Sequence, residues 1–531
     1  MTSFDYSSAY PARRAPVAAR NIVATSQPLA AQAGLDALRR GGNAVDAAIA
    51  AAAALTVVEP TGCGLGSDGF AILWDGEALH GLNASGRAPA AWTPERFEGR
   101  DAMPWRGWDS VTVPGAVSAW AALSRRFGTL PFADLLAPAI AYARDGFLLS
   151  PTIAKRWGLD LGALSAHPGF AETFAPGGAP PRAGEVFRNP DIARTLEEIA
   201  ATGGESFYRG DLARRIAAAA RDQGGAMTEA DLAAHQPDWC GTVSQSWRDV
   251  RLHEIPPNGQ GIAALIGLGI CEHLPLDGLD PDGPEALHLQ IEAMKLAMAD
   301  ADRYVADLDA MDVPPEALLD PDYLRARAAL VDPARAKAAA AGAPKAGGTV
   351  YLTAADASGM MISFIQSNYA GFGSGVVVPG TGIHMQNRGA GFTLEPGHPN
   401  RVGPGKRPFH TIIPGFLTDA DGAPVMSLGV MGGPMQAQGH VQMVLRTRLW
   451  NQTPQAAADA PRWRFVEGLE VAVETDLPEA TLAGLEAMGH RLSREAPDAA
   501  FGFGGAQLIH RLEDGYLAGS DSRKDGGAVG F

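Results

Sequence analysis

The pattern of hydrophobic and polar positions divides the chain into a helical first part and a sheet-rich last part. Positions 23–58 have the texture of helices, and the alanine-rich run 44–58 is apolar on nearly every side, which predicts a buried helix. Asn43 can cap that helix, and Glu59-Pro60 ends it. A cluster of glycines follows, and the next apolar runs, 70–74 and 78–83, predict strands.

The texture of the chain changes after a loose Ala/Gly/Pro-rich linker at 336–348. Before it, residues 111–330 are mostly helical in pattern. After it, short apolar runs alternate with turn signals, and a single helix is predicted at 438–450. Helices that flank stacked sheets would give a layered mixed fold, so the pattern favours the α+β class.

Composition narrows the function classes. The chain has 531 residues, 46% of them hydrophobic, and a net charge of −16. An acidic surface argues against nucleic acid and anionic membranes as partners, although a local basic pocket for a small anion stays open. No secretory signal and no membrane-spanning run is visible. The three cysteines, Cys63, Cys240 and Cys271, predict buried free thiols in a reducing, cytoplasmic compartment.

The strongest chemical candidate is Thr349, which follows two glycines at the end of the linker and opens a predicted strand. A threonine released by backbone cleavage would carry a free amine beside its own hydroxyl, and this pair combines a base with a nucleophile. The alternative is an ordinary strand after an ordinary linker.

A second candidate is the turn at Gly432-Gly433, between an apolar strand and a helix. Adjacent glycines expose backbone N–H groups that suit an oxyanion. A plain tight turn is the alternative interpretation.

Two other patterns in the sequence are weaker evidence for a functional site. Residues 64–69 fit GxGxxG, but they lie between a helix and a strand, the reverse of the order that a dinucleotide site needs. A tight turn against an active-site wall is the better interpretation. The histidines are scattered, with no pair at metal-ligand spacing beside a third partner, so no metal site and no cofactor are predicted.

The motifs together, in order along nearly the whole chain, resemble the gamma-glutamyltransferase family of amino-terminal-nucleophile hydrolases. The segments that carry the resemblance are 24–30, 41–48, 113–115, 256–261, 302–304, Thr349, 373–375, 405–408 and Gly432-Gly433.

The resemblance implies a four-layer αββα sandwich and a precursor that cuts itself between Gly348 and Thr349. The products would be a large subunit, 1–348, and a small subunit, 349–531. By the same resemblance Thr349 is the nucleophile, Ser367 takes the place of a threonine that hydrogen-bonds it, and Gly432 and Gly433 form the oxyanion hole.

The positions that bind substrate depart from the family pattern. Ser85 stands where the family has an arginine for the α-carboxylate, and the nearest arginine is Arg87. Arg388 and Gly391 replace the glutamine and aspartate that hold the α-ammonium. The remaining replacements in the predicted pocket are Tyr369, His410 and Thr411. Arg388 would suit an anionic group, unless it turns away and pairs with Glu395.

The sequence therefore predicts a self-processing amidohydrolase, nearest to the oxamate-amidohydrolase-like and cephalosporin-acylase-like members. It would hydrolyse a small amide through an acyl-enzyme, with no metal or organic cofactor. Its expected partners are the small-molecule substrate and its own two subunits, with a homo-oligomer of that heterodimer also considered. The alternatives are a genuine gamma-glutamyl transferase or glutathione hydrolase, a nucleotide-dependent oxidoreductase and an uncleaved, non-catalytic relative.

Overall fold

A computed structural model describes residues 14–338, 348–497 and 502–531. The strands are β1 (Val17–Ala19), β2 (Ile22–Thr25), β3 (Asp68–Trp74), β4 (Leu79–Asn83), β5 (Phe147–Leu148), β6 (Val186–Phe187), β7 (Asp238–Trp239), β8 (Val243–Trp247), β9 (Val250–Glu254), β10 (Gly348–Ala355), β11 (Met361–Tyr369), β12 (Gly415–Asp419), β13 (Pro424–Met431), β14 (Trp463–Glu467), β15 (Glu470–Glu474), β16 (Arg491–Glu495), β17 (Gly505–Leu512), β18 (Gly515–Ser520) and β19 (Gly527–Gly530). The helices are α1 (Pro28–Arg39), α2 (Ala44–Val58), α3 (Ala116–Phe127), α4 (Phe132–Asp145), α5 (Pro151–Trp157), α6 (Leu161–Leu164), α7 (Phe170–Phe174), α8 (Pro190–Thr202), α9 (Glu205–Arg209), α10 (Asp211–Asp222), α11 (Glu229–Ala234), α12 (Gly261–Cys271), α13 (Pro284–Tyr304), α14 (Pro315–Leu318), α15 (Pro321–Ala328), α16 (Met435–Arg448), α17 (Pro454–Asp459) and α18 (Glu479–Ala487).

Two large sheets form the centre of the molecule. Among the described residues each has seven strands, in the orders β1-β18-β17-β13-β12-β9-β8 and β19-β2-β10-β11-β3-β4-β7. We call the first sheet A and the second sheet B. The strand β10 lies between β2 and β11, and β2 also pairs with β19. Sheet B therefore combines strands from before and after the predicted cleavage point.

Alternation along the strands produces a layered core. In β10 the side chains of Val350, Leu352 and Ala354 pack against helices on the outer face of sheet B, whereas Tyr351 and Ala355 pack in the layer between the sheets. A second helical layer, which includes α12, α13 and α16, covers the outer face of sheet A. The result is the predicted four-layer αββα sandwich.

The ends of several elements follow their local sequence. Asn43 caps α2 as predicted, and Asp46 completes a capping box with it. The linker prediction falls mostly outside the described residues, since 339–347 are among those not described.

Some boundaries differ from the sequence-based predictions. Residues 22–25 form the strand β2 and not part of a helix, because this short apolar segment pairs with residues 352–355 and 527–530, which are remote in sequence. The sheet-rich last part holds α17 and α18 besides α16, and the helical middle holds β7, β8 and β9. These elements are short, and tertiary pairing decides them more than local pattern does.

Candidate functional site

Thr349 lies on β10 in the layer between the two sheets. Tyr351, two residues further along β10, packs against Gly429 of β13, where an added Cβ would lie 2.2 Å from Tyr351 Cε2. The Thr353 and Ser427 hydroxyls are 2.6 Å apart. Two residues along β10 therefore match two residues along β13 in the opposite direction. The same spacing, extended by two residues, leads from Thr349 to Met431, the last residue of β13 before Gly432.

Ser367 is the immediate partner of Thr349. It lies on the neighbouring strand β11, and the two hydroxyl oxygens are 3.0 Å apart. Ser367 also donates to the carbonyl of Gly348 at 2.7 Å and accepts from the backbone N–H of Tyr369 at 2.8 Å. The structure thus brings the predicted nucleophile, its hydroxyl partner and the predicted cleavage point together.

Arg388 is turned into the same cluster and does not pair with Glu395. It is 1% exposed and donates to the hydroxyls of Ser367 at 2.6 Å and Thr411 at 2.7 Å. Its guanidinium lies 4.6 Å from the centre of the Tyr369 ring, a cation–π distance. Burial, opposed by Asp68, lowers the pKa of Arg388 to about 10, so the side chain stays charged at neutral pH.

This cation has no carboxylate within hydrogen-bonding distance in the described parts of the chain. Its Nε, although buried, has no partner there. A buried guanidinium that bonds only to neutral hydroxyls is under-compensated, because charged groups in protein interiors usually have an ionic partner. Arg388 is therefore suited to receive an anion.

A carboxylate that the sequence analysis did not single out completes the cluster. Asp68 begins β3 beside Ser367, and His410 Nε2 lies 3.0 Å from its carboxylate oxygen. Burial raises the pKa of Asp68 to about 7, against the opposing effect of Arg388. Burial, followed by the charges of Arg388 and Arg407, lowers the pKa of His410 well below its ordinary value. The sequence feature that could have identified Asp68 is its position, since it is an acidic residue at the start of an apolar strand, directly after the glycine turn.

We call Thr349, Ser367, Arg388, Asp68 and His410 the threonine cluster. Each of these side chains is at most 1% exposed.

The glycine turn after β13 has the conformation that its sequence predicts. Gly432 and Gly433 have φ angles of 128° and 62°, in the region that favours glycine. Their N–H groups make no hydrogen bond to any described residue. Gln260 fixes the turn, because its amide donates to the carbonyls of both Gly433 and Thr411. Free donors at this position suit an oxyanion.

Two of the predicted substrate-binding residues are engaged in other contacts. Ser85 is buried, and its hydroxyl donates to Asn83 at 2.7 Å. Arg87 forms an ion pair with Asp307 at 2.9 Å and lines a separate surface cavity of about 340 Å³. The structure therefore does not bring Arg87 to the threonine cluster.

A second cavity, of about 410 Å³, adjoins the cluster at Tyr369. Trp105 packs edge-on against Tyr369, with ring centres 5.1 Å apart, and both residues line the cavity. Gly391 lies on the same wall, and a Cβ there would be 2.5 Å from the carbonyl oxygen of Phe409. No side chain larger than hydrogen fits at this position without a shift.

The glycine turn at 64–69 is a wall and a lead-in to β3. A Cβ at Gly64 would lie 2.2 Å from the His384 ring, and Ser67 donates to Asn368 at 2.8 Å. This close approach explains the glycine without a phosphate ligand.

The histidines are less scattered in space than in sequence. His288, Glu292 and His490 have ligand atoms within 4.8 Å of one another. The fold therefore brings a third possible ligand to a histidine pair, which the spacing along the sequence did not predict. Glu292, however, bonds to the Lys295 ammonium at 2.7 Å, and the two imidazoles bond to each other at 2.8 Å. A metal ion would have to compete with both contacts.

The remaining expectations concern exposure. Cys63 and Cys271 are buried free thiols, but Cys240 is exposed, contrary to prediction. Of the helices in the described ranges, none has the length and apolar character needed to cross a membrane.

Comparison with known proteins agrees with this geometry. The family model described as gamma-glutamyltranspeptidase matches residues 30–531. The chain belongs to the gamma-glutamyltranspeptidase family. In this family it is 36% identical to the glutathione hydrolase-like YwrD proenzyme of Bacillus subtilis, over 97% of this chain and 99% of the relative. It is 37% identical to the oxamate amidohydrolase proenzyme of Klebsiella pneumoniae, with the same coverage of each chain.

The structural comparison assigns the same fold. The crystal structure of cephalosporin acylase from Bacillus halodurans superposes with a TM-score of 0.95 at 48% identity, covering 100% of this chain and 99% of that one. The chain thus has the amino-terminal-nucleophile hydrolase fold of this family, whose similar members are named as hydrolases and acylases.

Proposed function

We propose that this gamma-glutamyltranspeptidase family member is a self-processing amidohydrolase that acts on a small amide bearing a carboxylate. The observation that carries the proposal is the buried threonine cluster, in which Arg388 has no anionic partner at bonding distance among the residues that the structure describes. Its relatives named as proenzymes, amidohydrolase and acylase support the same chemistry.

In the proposed reaction, Thr349 supplies both the nucleophile and the base. After cleavage, the Thr349 amine takes the proton of its own hydroxyl, and the hydroxyl oxygen attacks the substrate carbonyl. The N–H groups of Gly432 and Gly433 bind the oxyanion. The amine then returns the proton to the leaving nitrogen, which gives an acyl-enzyme, and water hydrolyses this ester to release the acid and restore Thr349.

The environment of Arg388 supports a carboxylate near the scissile bond. Its guanidinium can bind a carboxylate in bidentate fashion, at the cost of its bonds to neutral hydroxyls. Gly391 cannot bind the ammonium of a gamma-glutamyl group, and the close carbonyl of Phe409 leaves no room for an acidic side chain there. These features favour an oxo-acid amide over glutathione.

A matched pair of substrates tests this proposal. We expect wild-type enzyme to have a higher kcat/KM for oxamate than for glutathione or for the uncharged oxamide. Arg388→Gln, with rates normalised to cleaved Thr349 termini, should lose about 10- to 100-fold on oxamate, the value of one charged hydrogen bond, and much less on oxamide. Arg87→Gln is the control, because Arg87 lies in another cavity. Preference of wild type for glutathione would overturn the substrate proposal.

A second candidate is a glutathione hydrolase or transferase, because relatives with that name match at 30% identity over 96% of the chain. Release from a gamma-glutamyl anilide, accelerated by a dipeptide acceptor, would support it. Mass spectrometry that finds only full-length protein would instead favour a non-catalytic relative.

As part of the proposal, we place the enzyme in the cytoplasm. We also propose that its subunits are 1–348 and 349–531, and native mass measurement would test whether this heterodimer forms a homo-oligomer.

A further inference from the structure

The peptide bond before Thr349 is held by the same side chains that surround the nucleophile. The carbonyl oxygen of Gly348 accepts the Ser367 hydroxyl, while Ser367 accepts from Arg388 and from the N–H of Tyr369. The two lone pairs of the Ser367 hydroxyl accept from Arg388 and Tyr369, and its single proton faces two oxygens, the Gly348 carbonyl at 2.7 Å and the Thr349 hydroxyl at 3.0 Å, of which the carbonyl is the nearer. The Ser367 proton therefore points at the carbonyl of the bond to be cut.

The backbone is strained at this point. Gly348 pairs with Tyr369, whose φ of 75° is unusual for an aromatic residue, and the ladder shifts register between Gly348 and Val350. A Cβ at residue 348 would lie 2.6 Å from the carbonyl oxygen of Thr61. Close packing holds the strained segment in place.

We infer that Arg388 is a positioning residue for cleavage of the Gly348–Thr349 bond, acting through the Ser367 hydroxyl. This inference rests on the proposed function and assigns Arg388 a role before any substrate binds. A cationic donor on Ser367 Oγ strengthens the bond that the Ser367 proton makes to the Gly348 oxygen. That bond becomes more favourable as the oxygen gains negative charge.

Cleavage begins with attack of the threonine hydroxyl on the preceding carbonyl. Thr349 Oγ1 forms a bond to the Gly348 carbonyl carbon, and the π electron pair of the carbonyl moves onto its oxygen, where the Ser367 hydroxyl stabilises the negative charge by donating a hydrogen bond. The C–N bond then breaks as the hydroxyl proton of Thr349 passes to its nitrogen, which leaves an ester and a free amine. Water hydrolyses the ester to a Gly348 carboxylate and the Thr349 hydroxyl.

The test compares three replacements of Arg388 by the rate at which full-length chain converts to two fragments. Arg388→Met keeps length without charge, and we expect cleavage about 10- to 100-fold slower, since a charged hydrogen bond is lost. Arg388→Lys should recover much of that rate, which a purely structural role would not predict. Arg87→Met is the control and should cleave like wild type.

Arg388→Gln, uncharged but able to hydrogen-bond, decides the matter if the Met variant does not fold. Slow cleavage of the Gln variant supports the inference. Cleavage of every folded variant at the wild-type rate, or equal rates for Lys and Met, would overturn it and leave the proposed function intact. A wild-type chain that is active without cleavage would overturn the proposed function as well.

Discussion

Two buried clusters combine arginine with carboxylate, and they differ in how well the charges are matched. The first is the threonine cluster. The second, which we call the balanced cluster, consists of Arg462, Glu474, Asp521 and Arg523. In the balanced cluster two cations meet two anions directly, with Arg462 2.6 Å from Asp521 and Arg523 bonded to both carboxylates.

The pKa directions show the consequence of this difference. The two arginines hold the pKa of Asp521 below its ordinary value in spite of burial, whereas burial dominates at Asp68 and raises its pKa to about 7. Complete pairing makes a structural joint, and incomplete pairing leaves interactions open for a substrate. Four predictions test this contrast.

Thr349→Ala removes the reacting hydroxyl and should have the largest effect. We expect an uncut single chain with no amidase activity, while folding is retained. Electrophoresis and a turnover assay measure both properties. Thr349→Ser keeps a hydroxyl and serves as the control, so some cleavage should persist. A Thr349→Ala chain that still divides into two fragments would place the nucleophile elsewhere.

Asp521→Asn should break the balanced cluster. It leaves Arg462 and Arg523 with too little negative charge in a buried site, which typically costs about 3–5 kcal/mol. Urea unfolding of the uncut Thr349→Ala chain, with and without this change, measures the loss. When Asp521→Asn is made in a chain that keeps Thr349, the molecules that fold should have the turnover rate of wild type. A stability equal to the parent would show that the two clusters do not differ as described.

Gly432→Ala tests the oxyanion turn. Its φ of 128° strains any residue with a Cβ, and displacement of the N–H groups should lower kcat by about 10²-fold, as for the loss of one oxyanion donor. Gly422→Ala, with a φ of 90° on an open turn, is the matched control and should leave kcat unchanged. Equal kcat values for both variants would remove the turn from the mechanism.

Asp68→Asn should have the smallest effect, on the pH dependence of stability. Burial raises the pKa of Asp68 to about 7, so the folded chain still holds a proton that the unfolded chain releases near pH 4. This group therefore lowers the free energy of unfolding as the pH rises from about 4 to about 7. When Asp68→Asn is added to the Thr349→Ala chain, this fall in the free energy of unfolding with rising pH should disappear. His410, whose pKa is lowered, contributes stability that is lost as pH falls below about 6.5, with the opposite sign. Unfolding free energies with the same pH slope in both chains would contradict the prediction.

Much of this protein could be inferred from local sequence. The capped helix α2, the strands β3, β4 and β10 and the glycines at 432 and 433 follow from residue preferences that act over a few positions. Ordered motifs along the chain also led to the family and to its four-layer fold, because such motifs keep their order when most other positions vary.

Only the tertiary structure decided which side chains meet. Arg388, Thr411 and Ser367 are separated in sequence, and no local pattern determines that the guanidinium turns inward or that Arg87 turns toward Asp307. Asp68 became part of the site through the pairing of β3 with β11. Local sequence acts through propensity over a few residues, whereas the charge balance of a buried site depends on which distant strands pair.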